Sequence, residues 1–284
     1  MKTEAMFYEK LENKIHCFLC PHNCVIEENH YGKCNVRIHE HGKLYTINYG
    51  EVTSVSLDPI EKKPLHYFKP STNILSVGSF GCNFTCGFCQ NHQISQVKAP
   101  SNFITKEKLV ELILTVENNI GIAFTYNEPS IWFEYVYEVS KLLKEMNEKA
   151  AVVLVTNGYI SEEPLKMLLP YVDAMNIDLK SYNNKYYNEI CGGNLSPVLK
   201  TIEIANKRCH VEVTTLLVSN ENDSMEEVGD IAKFLSIINN NIPLHLSRYF
   251  PRYKMDNPPT SVEDMIRAEK VAKKYLNRVS LGNM

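Results

Sequence analysis

From Ile74 onward, short apolar runs alternate with longer amphipathic stretches. The runs are Ile74–Gly78, Gly121–Thr125, Ala151–Thr156, Ala174–Leu179, Val211–Val218 and Pro243–Ser247. Runs this short and this apolar match strands of a parallel sheet buried on both faces. The stretches between them carry helical spacing and recognisable starts. Thr105 precedes Leu109, Leu112, Ile113 and Val116, and Pro129 opens a stretch with Trp132, Tyr135, Val139, Leu142 and Met146. Asn127 reads as the N-cap of that second stretch, and Ser196-Pro197 as N-cap and first residue of another helix. Ser224 with Glu227 forms a capping box, and Thr260 with Glu263 begins the last helix. Strand followed by helix, repeated, implies right-handed parallel crossovers. The pattern fits an open doubly wound sheet or a complete or partial (β/α) barrel.

Residues 1–70 have another rhythm: short alternating pieces such as Lys43–Asn48, turns at Gly32 and Gly42, and a charged, Pro-containing stretch from Asp58 to Pro70. They are expected to form a small Cys-rich β lobe, with residues 71–284 as the α/β core.

Composition narrows the classes. The chain has 284 residues, and a prior of about 150 residues per domain allows one large domain or two modest ones. Thirty Lys and Arg against 33 Asp and Glu give a net charge of −3, which argues against a dedicated duplex-DNA binder. No window reaches the ~18 apolar residues of a membrane helix, and the charged start lacks the apolar core of a signal peptide. A cytoplasmic protein without nucleic-acid or membrane partners is expected.

Of nine cysteines, seven fall in two tight groups, Cys17/Cys20/Cys24/Cys34 and Cys82/Cys86/Cys89. In a reducing compartment such groups hold metal more often than disulfides. The second group, C-x3-C-x2-C, follows the first apolar run directly. Three thiolates in one loop suit an iron–sulfur cluster with one iron left open, zinc completed by a His such as His92, or redox thiols. The first group, C-x2-C-x3-C-x9-C, offers four soft ligands and suits a structural tetrahedral zinc or a second, fully ligated iron–sulfur cluster. Cys209 is expected in the core. Cys191 follows the fourth run and is the speculative candidate for a catalytic redox or hydrogen-atom-relay role.

The polar residues just after the runs are the remaining candidates, because barrel chemistry sits at the C-terminal strand ends. Asn127 and Glu128 form an acceptor-rich pair after the second run. Thr156 and Asn157 precede Gly158, where an Asn-Gly turn is the structural alternative. Asp178 and Lys180 alternate, so they share a face. His245 lies in the sixth run.

The C-x3-C-x2-C loop, with Phe88 before its third Cys, resembles the radical S-adenosylmethionine (SAM) superfamily. Further motifs sharpen the resemblance. They are Cys17-x2-Cys20-Pro-His-x-Cys24 with Gly32-Lys33-Cys34, Asp58-Pro-Ile-Glu-Lys-Lys-Pro64, Gly81-Cys82-Asn83 to Cys89-Gln-Asn91, Tyr126-Asn-Glu-Pro129 and Asn176-Ile-Asp-Leu-Lys180. Together they look like the radical SAM protein of the AmmeMemoRadiSam system, a group related to pyruvate formate-lyase activating enzymes.

The resemblance implies a partial (β/α)6-type TIM barrel. It implies a [4Fe-4S] cluster on Cys82, Cys86 and Cys89, and reductive cleavage of SAM to a 5′-deoxyadenosyl radical. It also implies an electron donor of ferredoxin or flavodoxin type, and Memo-like and AMMECR-type partner proteins. By the same resemblance Phe88, Asn127, Glu128, Thr156, Asn157, Asp178, Lys180 and His245 surround SAM, with Glu128 at its ammonium and His245 at its adenosine. Val155 departs from the Asp that activases tend to carry before Thr-Asn-Gly, and Thr214 and Thr215 stand where activases carry an Arg. Members of the resembling family usually continue beyond Leu281–Met284 into a Cys-containing tail. The alternative function is a zinc-stabilised binding or regulatory module with structural cysteines.

Overall fold

The computed structural model describes residues 2–284. Its main feature is an eight-stranded sheet. In spatial order the strands are Val279–Gly282, Leu244–Arg248, His210–Leu217, Ala174–Asp178, Ala151–Thr156, Asn119–Phe124, Asn73–Gly78 and Ser54–Pro59. Neighbours are parallel except at the far end, where Ser54–Pro59 runs antiparallel to Asn73–Gly78. Strand order follows chain order, as winding around a barrel requires, but the two end strands do not pair with each other. The result is a partial barrel with its helices outside.

All six apolar runs became strands of this sheet. The two end strands carry no such signal. Ser54–Pro59 leaves Val55 and Leu57 exposed, so its apolar positions face away from the core, and Val279–Gly282 is too short to show a period. The large sheet therefore begins at Ser54, within the span assigned to the lobe.

Helix starts follow local chemistry. Thr105 accepts a hydrogen bond from the Lys108 N–H, and Ser224 from the Glu227 N–H. The capping box is not reciprocal, because the Glu227 carboxylate instead accepts the Ser181 hydroxyl and, at 2.8 Å, the Tyr182 N–H. Two starts differ from expectation. Asn194, not Ser196, stands at the N-cap position of Leu195–Ala205 without a side-chain capping bond, and the Leu195 N–H bonds Asn184 Oδ1 at 3.0 Å. Ser261, not Thr260, caps Val262–Ala272, because the Thr260 hydroxyl is drawn away to the Leu217 carbonyl.

The N-terminal lobe comprises two small antiparallel sheets. One pairs Tyr8–Leu11, Lys14–Cys17 and Cys24–Glu27, and the other Thr3–Glu4, Lys43–Thr46 and Arg37–Glu40. Its apolar residues Ile15, Leu19 and Ile26 are continuous with the barrel core. A buried ion pair joins Arg37 to Glu134, on the helix Phe133–Met146. The Trp132 indole N–H donates to the Asn48 carbonyl at 2.6 Å.

Residues 63–67 pass along the inner face of the barrel. The Pro64 carbonyl accepts from Asn176 Nδ2 at 2.9 Å, and the His66 and Tyr67 N–H groups donate to Glu212 at 3.0 and 2.7 Å. Asn176 and Glu212 are fully buried, so this segment meets polar side chains inside the barrel and satisfies them.

Candidate active site

At the C-terminal ends of the strands lies an open cavity of about 450 Å³. Cys82, Cys86, Cys89, Phe88, Asn127, Glu128, Thr156, Asn157, Asp178 and Lys180 all line it. The fold thus gathers candidates from four successive strand ends into one place.

The thiol loop is held from several sides. Cys82 Sγ accepts the Phe84 N–H at 3.3 Å and Asn157 Nδ2 at 3.7 Å, and Cys89 Sγ lies 3.2 Å from Ser95 Oγ. The Thr85 N–H bonds the Cys191 carbonyl at 2.8 Å, fixing the segment just before Cys86. Burial pushes the Cys82 and Cys89 thiols up. Cys86 moves the other way: a hydrogen bond from the Cys191 thiol, helped by the Lys180 charge, outweighs its burial.

Lys180 is the cation beside Cys86. Its Nζ lies 3.0 Å from Asp178 Oδ2 and 5.6 Å from the centre of the Phe88 ring. Burial disfavours its charge, but Asp178 and the Cys86 thiol stabilise it and raise the pKa well above the usual lysine value.

Glu128 is buried and already well supplied. Oε1 accepts the Ser130 N–H at 2.9 Å and the Thr156 hydroxyl at 2.6 Å, and Oε2 accepts the Asn157 N–H at 2.8 Å. Glu128, not Asn127, caps the turn Pro129–Trp132. Asn127 instead accepts the Ser79 N–H at 2.9 Å and donates to the Gly81 carbonyl at 3.1 Å, joining two strand ends. Asn157 also makes its turn, with Oδ1 on the Tyr159 N–H at 2.8 Å while Nδ2 holds Asn83 Oδ1 at 2.8 Å.

Comparison with known proteins decides the family. A model described as the radical SAM superfamily matches residues 76–235. The chain belongs to the radical SAM superfamily. It is 43% identical over 289 residues to an uncharacterised protein of Methanocaldococcus jannaschii, covering 99% of this chain and 85% of that one. A second protein of that organism, provisionally named a glycyl-radical enzyme activating enzyme, is 31% identical over 211 residues, covering 71% of this chain and 78% of that one. Among solved structures, SuiB of Streptococcus suis bound to its precursor peptide SuiA superposes with a TM-score of 0.58. It is 15% identical, with 72% of this chain and 47% of that one covered, so the likeness is one of fold.

Radical SAM proteins use a [4Fe-4S] cluster and SAM, and the residues present fit both. Three thiols face the cavity and the other donors along its wall are nitrogen and oxygen, which leaves one iron of a cluster without a protein thiolate. His92 does not line the cavity. Its Nδ1 bonds the Cys89 carbonyl at 3.2 Å, and its ring stacks on Tyr253.

Two candidates lie outside the cavity wall. Cys191 is fully buried at the end of the π-turn Tyr187–Cys191, behind Cys86, so it is not placed to touch a substrate. His245 is buried one layer deeper, with Nε2 2.6 Å from Glu212 Oε2 and Nδ1 2.7 Å from Ser280 Oγ. Ser247, two residues on, is the one that reaches the cavity.

Sequence reasoning assigned no site role to Lys63 and Tyr126. Lys63 is almost fully buried, yet it lines the cavity. Its Nζ lies 2.8 Å from Asp58 Oδ2 and 4.6 Å from the Tyr126 ring centre, and the Tyr126 hydroxyl donates to the same carboxylate at 2.8 Å. Burial would raise Asp58, but Lys63 and Tyr126 overcome it and hold the carboxyl far below its usual range. The signal was the Asp58-to-Pro64 motif, whose two lysines stand four and five residues after its acid.

Proposed function

We propose that this radical SAM enzyme is activase-like and removes a hydrogen atom from a partner protein. Three thiols and the strand-end polar residues meeting in one cavity, with no fourth thiol on its wall, support the radical chemistry. Relatedness to a glycyl-radical enzyme activating enzyme supports the protein substrate.

Cys82, Cys86 and Cys89 would hold three irons. When bound, the cluster supplies the electron that splits the SAM sulfonium into methionine and a 5′-deoxyadenosyl radical. The chain's own residues orient and shield. Asp178 and Lys180 give the cavity a fixed ion pair beside Cys86, suited to the zwitterionic methionine end of SAM. Thr156 and Asn157 form an adjoining polar wall, and Glu128 positions both of them rather than meeting the ammonium alone. Phe84 and Phe88 keep part of the wall dry. A ferredoxin- or flavodoxin-type protein is the proposed electron donor. The AmmeMemoRadiSam motifs name Memo-like and AMMECR-type proteins as the first partners to test.

The test is anaerobic reconstitution with iron and sulfide, then SAM and dithionite. The wild-type chain should absorb broadly near ~400 nm and release 5′-deoxyadenosine. Cys86→Ala should release none. Cleavage retained in Cys86→Ala removes the cluster assignment, and a colourless wild-type protein binding only zinc restores the binding-module alternative.

A further inference from the structure

Four cysteines remain outside the cavity just described. Cys17, Cys20, Cys24 and Cys34 come from three separate parts of the lobe and line one small apolar pocket. Cys17 and Cys24 are directly opposed on antiparallel strands. Cys20 sits in the turn between them, where the Asn23 N–H bonds its carbonyl at 3.1 Å. Cys34 arrives from a second turn, closed by the Asn35 N–H on the Gly32 carbonyl at 3.0 Å. Cys17, Cys20 and Cys34 are each less than 9% exposed, and none of the four forms a disulfide.

Packing alone does not account for this. Interiors are close-packed, and a thiol is a weak hydrogen-bonding group that is usually replaceable by any small apolar side chain. Here four are aimed at one gap. A buried charge beside them has the right sign for thiolates: Arg37, whose other side pairs with Glu134, lies with Nη1 3.8 Å from Cys17 Sγ. Four thiolates around a divalent ion or a [4Fe-4S] core carry excess negative charge, which a buried guanidinium offsets in part.

We propose that Cys17, Cys20, Cys24 and Cys34 form a second, closed metal centre ligated by four thiolates, holding zinc or an iron–sulfur cluster. Unlike the loop of Cys82, Cys86 and Cys89, it leaves the metal no open position for SAM. The proposal does not rest on the radical mechanism. Among the described residues, no group of three or more His, Cys, Asp or Glu side chains is drawn close enough to hold a metal ion, although these four cysteines line the same pocket. One zinc, with Zn–S near ~2.3 Å, draws them inward, and a cluster needs less closure.

The centre also touches the first site. The Cys20–Cys24 turn presents His22, whose Nε2 lies 2.7 Å from the Asn83 carbonyl, next to Cys82. Asn83 in turn bonds Asn157 and the Tyr159 carbonyl. The Cys20–Cys24 turn thus braces the loop that carries Cys82.

The test uses the full chain with Cys82, Cys86 and Cys89 all changed to Ala, purified without oxygen and supplied separately with zinc sulfate or with iron and sulfide. The expected result is about one zinc per chain, or about four irons and four sulfides with a spectrum unchanged by SAM. Adding Cys34→Ser should abolish that uptake. Equal uptake with and without Cys34→Ser overturns the proposal, as does recovery of the four thiols as two disulfides. If the triple variant does not fold, Cys34→Ser alone decides. Metal content should fall by that one centre while the remaining cluster still changes its EPR signal with SAM, and unchanged metal content overturns the proposal.

Discussion

Lys180 and Cys86 show how single residues set the character of the cavity. Cys86 is the one cavity thiol whose pKa is lowered, because Cys191 and Lys180 both favour its thiolate. Cys191 thus acts on Cys86 and does not reach the cavity, a role that its position after the fourth strand did not reveal. Replacing Lys180 with Met should weaken SAM binding by about tenfold to a hundredfold, the usual worth of a charge-assisted hydrogen bond. Titration calorimetry on the reconstituted protein under anoxia reads this directly, and an unchanged affinity removes Lys180 from the SAM wall. The thiols and strand-end polar residues were legible because a short motif and a strand period fix where they emerge. His245 lies deeper than the strand end, against Glu212 and Ser280. Period 2 puts it on the same face as Ser247, but only the barrel's layering shows which of the two reaches the cavity. Glu128 is held by three donors that the sequence does not announce, because they come from its own turn and from the next strand end.

At the scale of elements, the parallel strands are joined at one place that only glycine tolerates. Gly121 has φ of +155°, at the irregularity where Asn119–Phe124 pairs with Asn73–Gly78. A Cβ there would fall 1.9 Å from the Ala151 carbonyl oxygen on the other neighbouring strand. Gly121→Ala should therefore cost about 1–3 kcal/mol, as overpacking does, read as a lower urea midpoint at unchanged slope. A midpoint equal to wild type would mean that the strand slides to accommodate the methyl group. The six inner strands announced themselves by short, mostly apolar runs. The outer two did not, because an edge strand has one face in water and its pattern records that face. Thr105 and Ser224 cap the helices expected of them. The start expected at Thr260 shifted because a tertiary contact took its hydroxyl.

For the molecule as a whole, Glu212 makes stability depend on pH. Burial alone would raise this carboxyl, but hydrogen bonds from His210, His245 and the Tyr67 N–H hold it down to about 2, against an ordinary 4.5. A depressed carboxyl contributes stability that is complete above its ordinary pKa and lost as pH falls through the folded value. The window is therefore about pH 4.5 down to 2, and the contribution is about 3 kcal/mol. The stability difference between wild type and Glu212→Gln should shrink across that window, and a gap that stays constant with pH would overturn the assignment. Among the described residues, no helix is long and apolar enough to cross a membrane.

Arg37 and Glu134 carry a consequence for anyone who would trim this protein. The pair crosses from the lobe to the barrel with both charges shut away from water, and Glu134 also takes the Met6 N–H at 2.8 Å. A version starting at residue 71 would keep the acid and discard everything that neutralises it. Removing Arg37 alone, with the site still covered, would cost about 3–5 kcal/mol, a large part of what a domain has to spare. The catalytic half is thus no free-standing module, and a shortened chain that melts cooperatively at the wild-type temperature would prove otherwise.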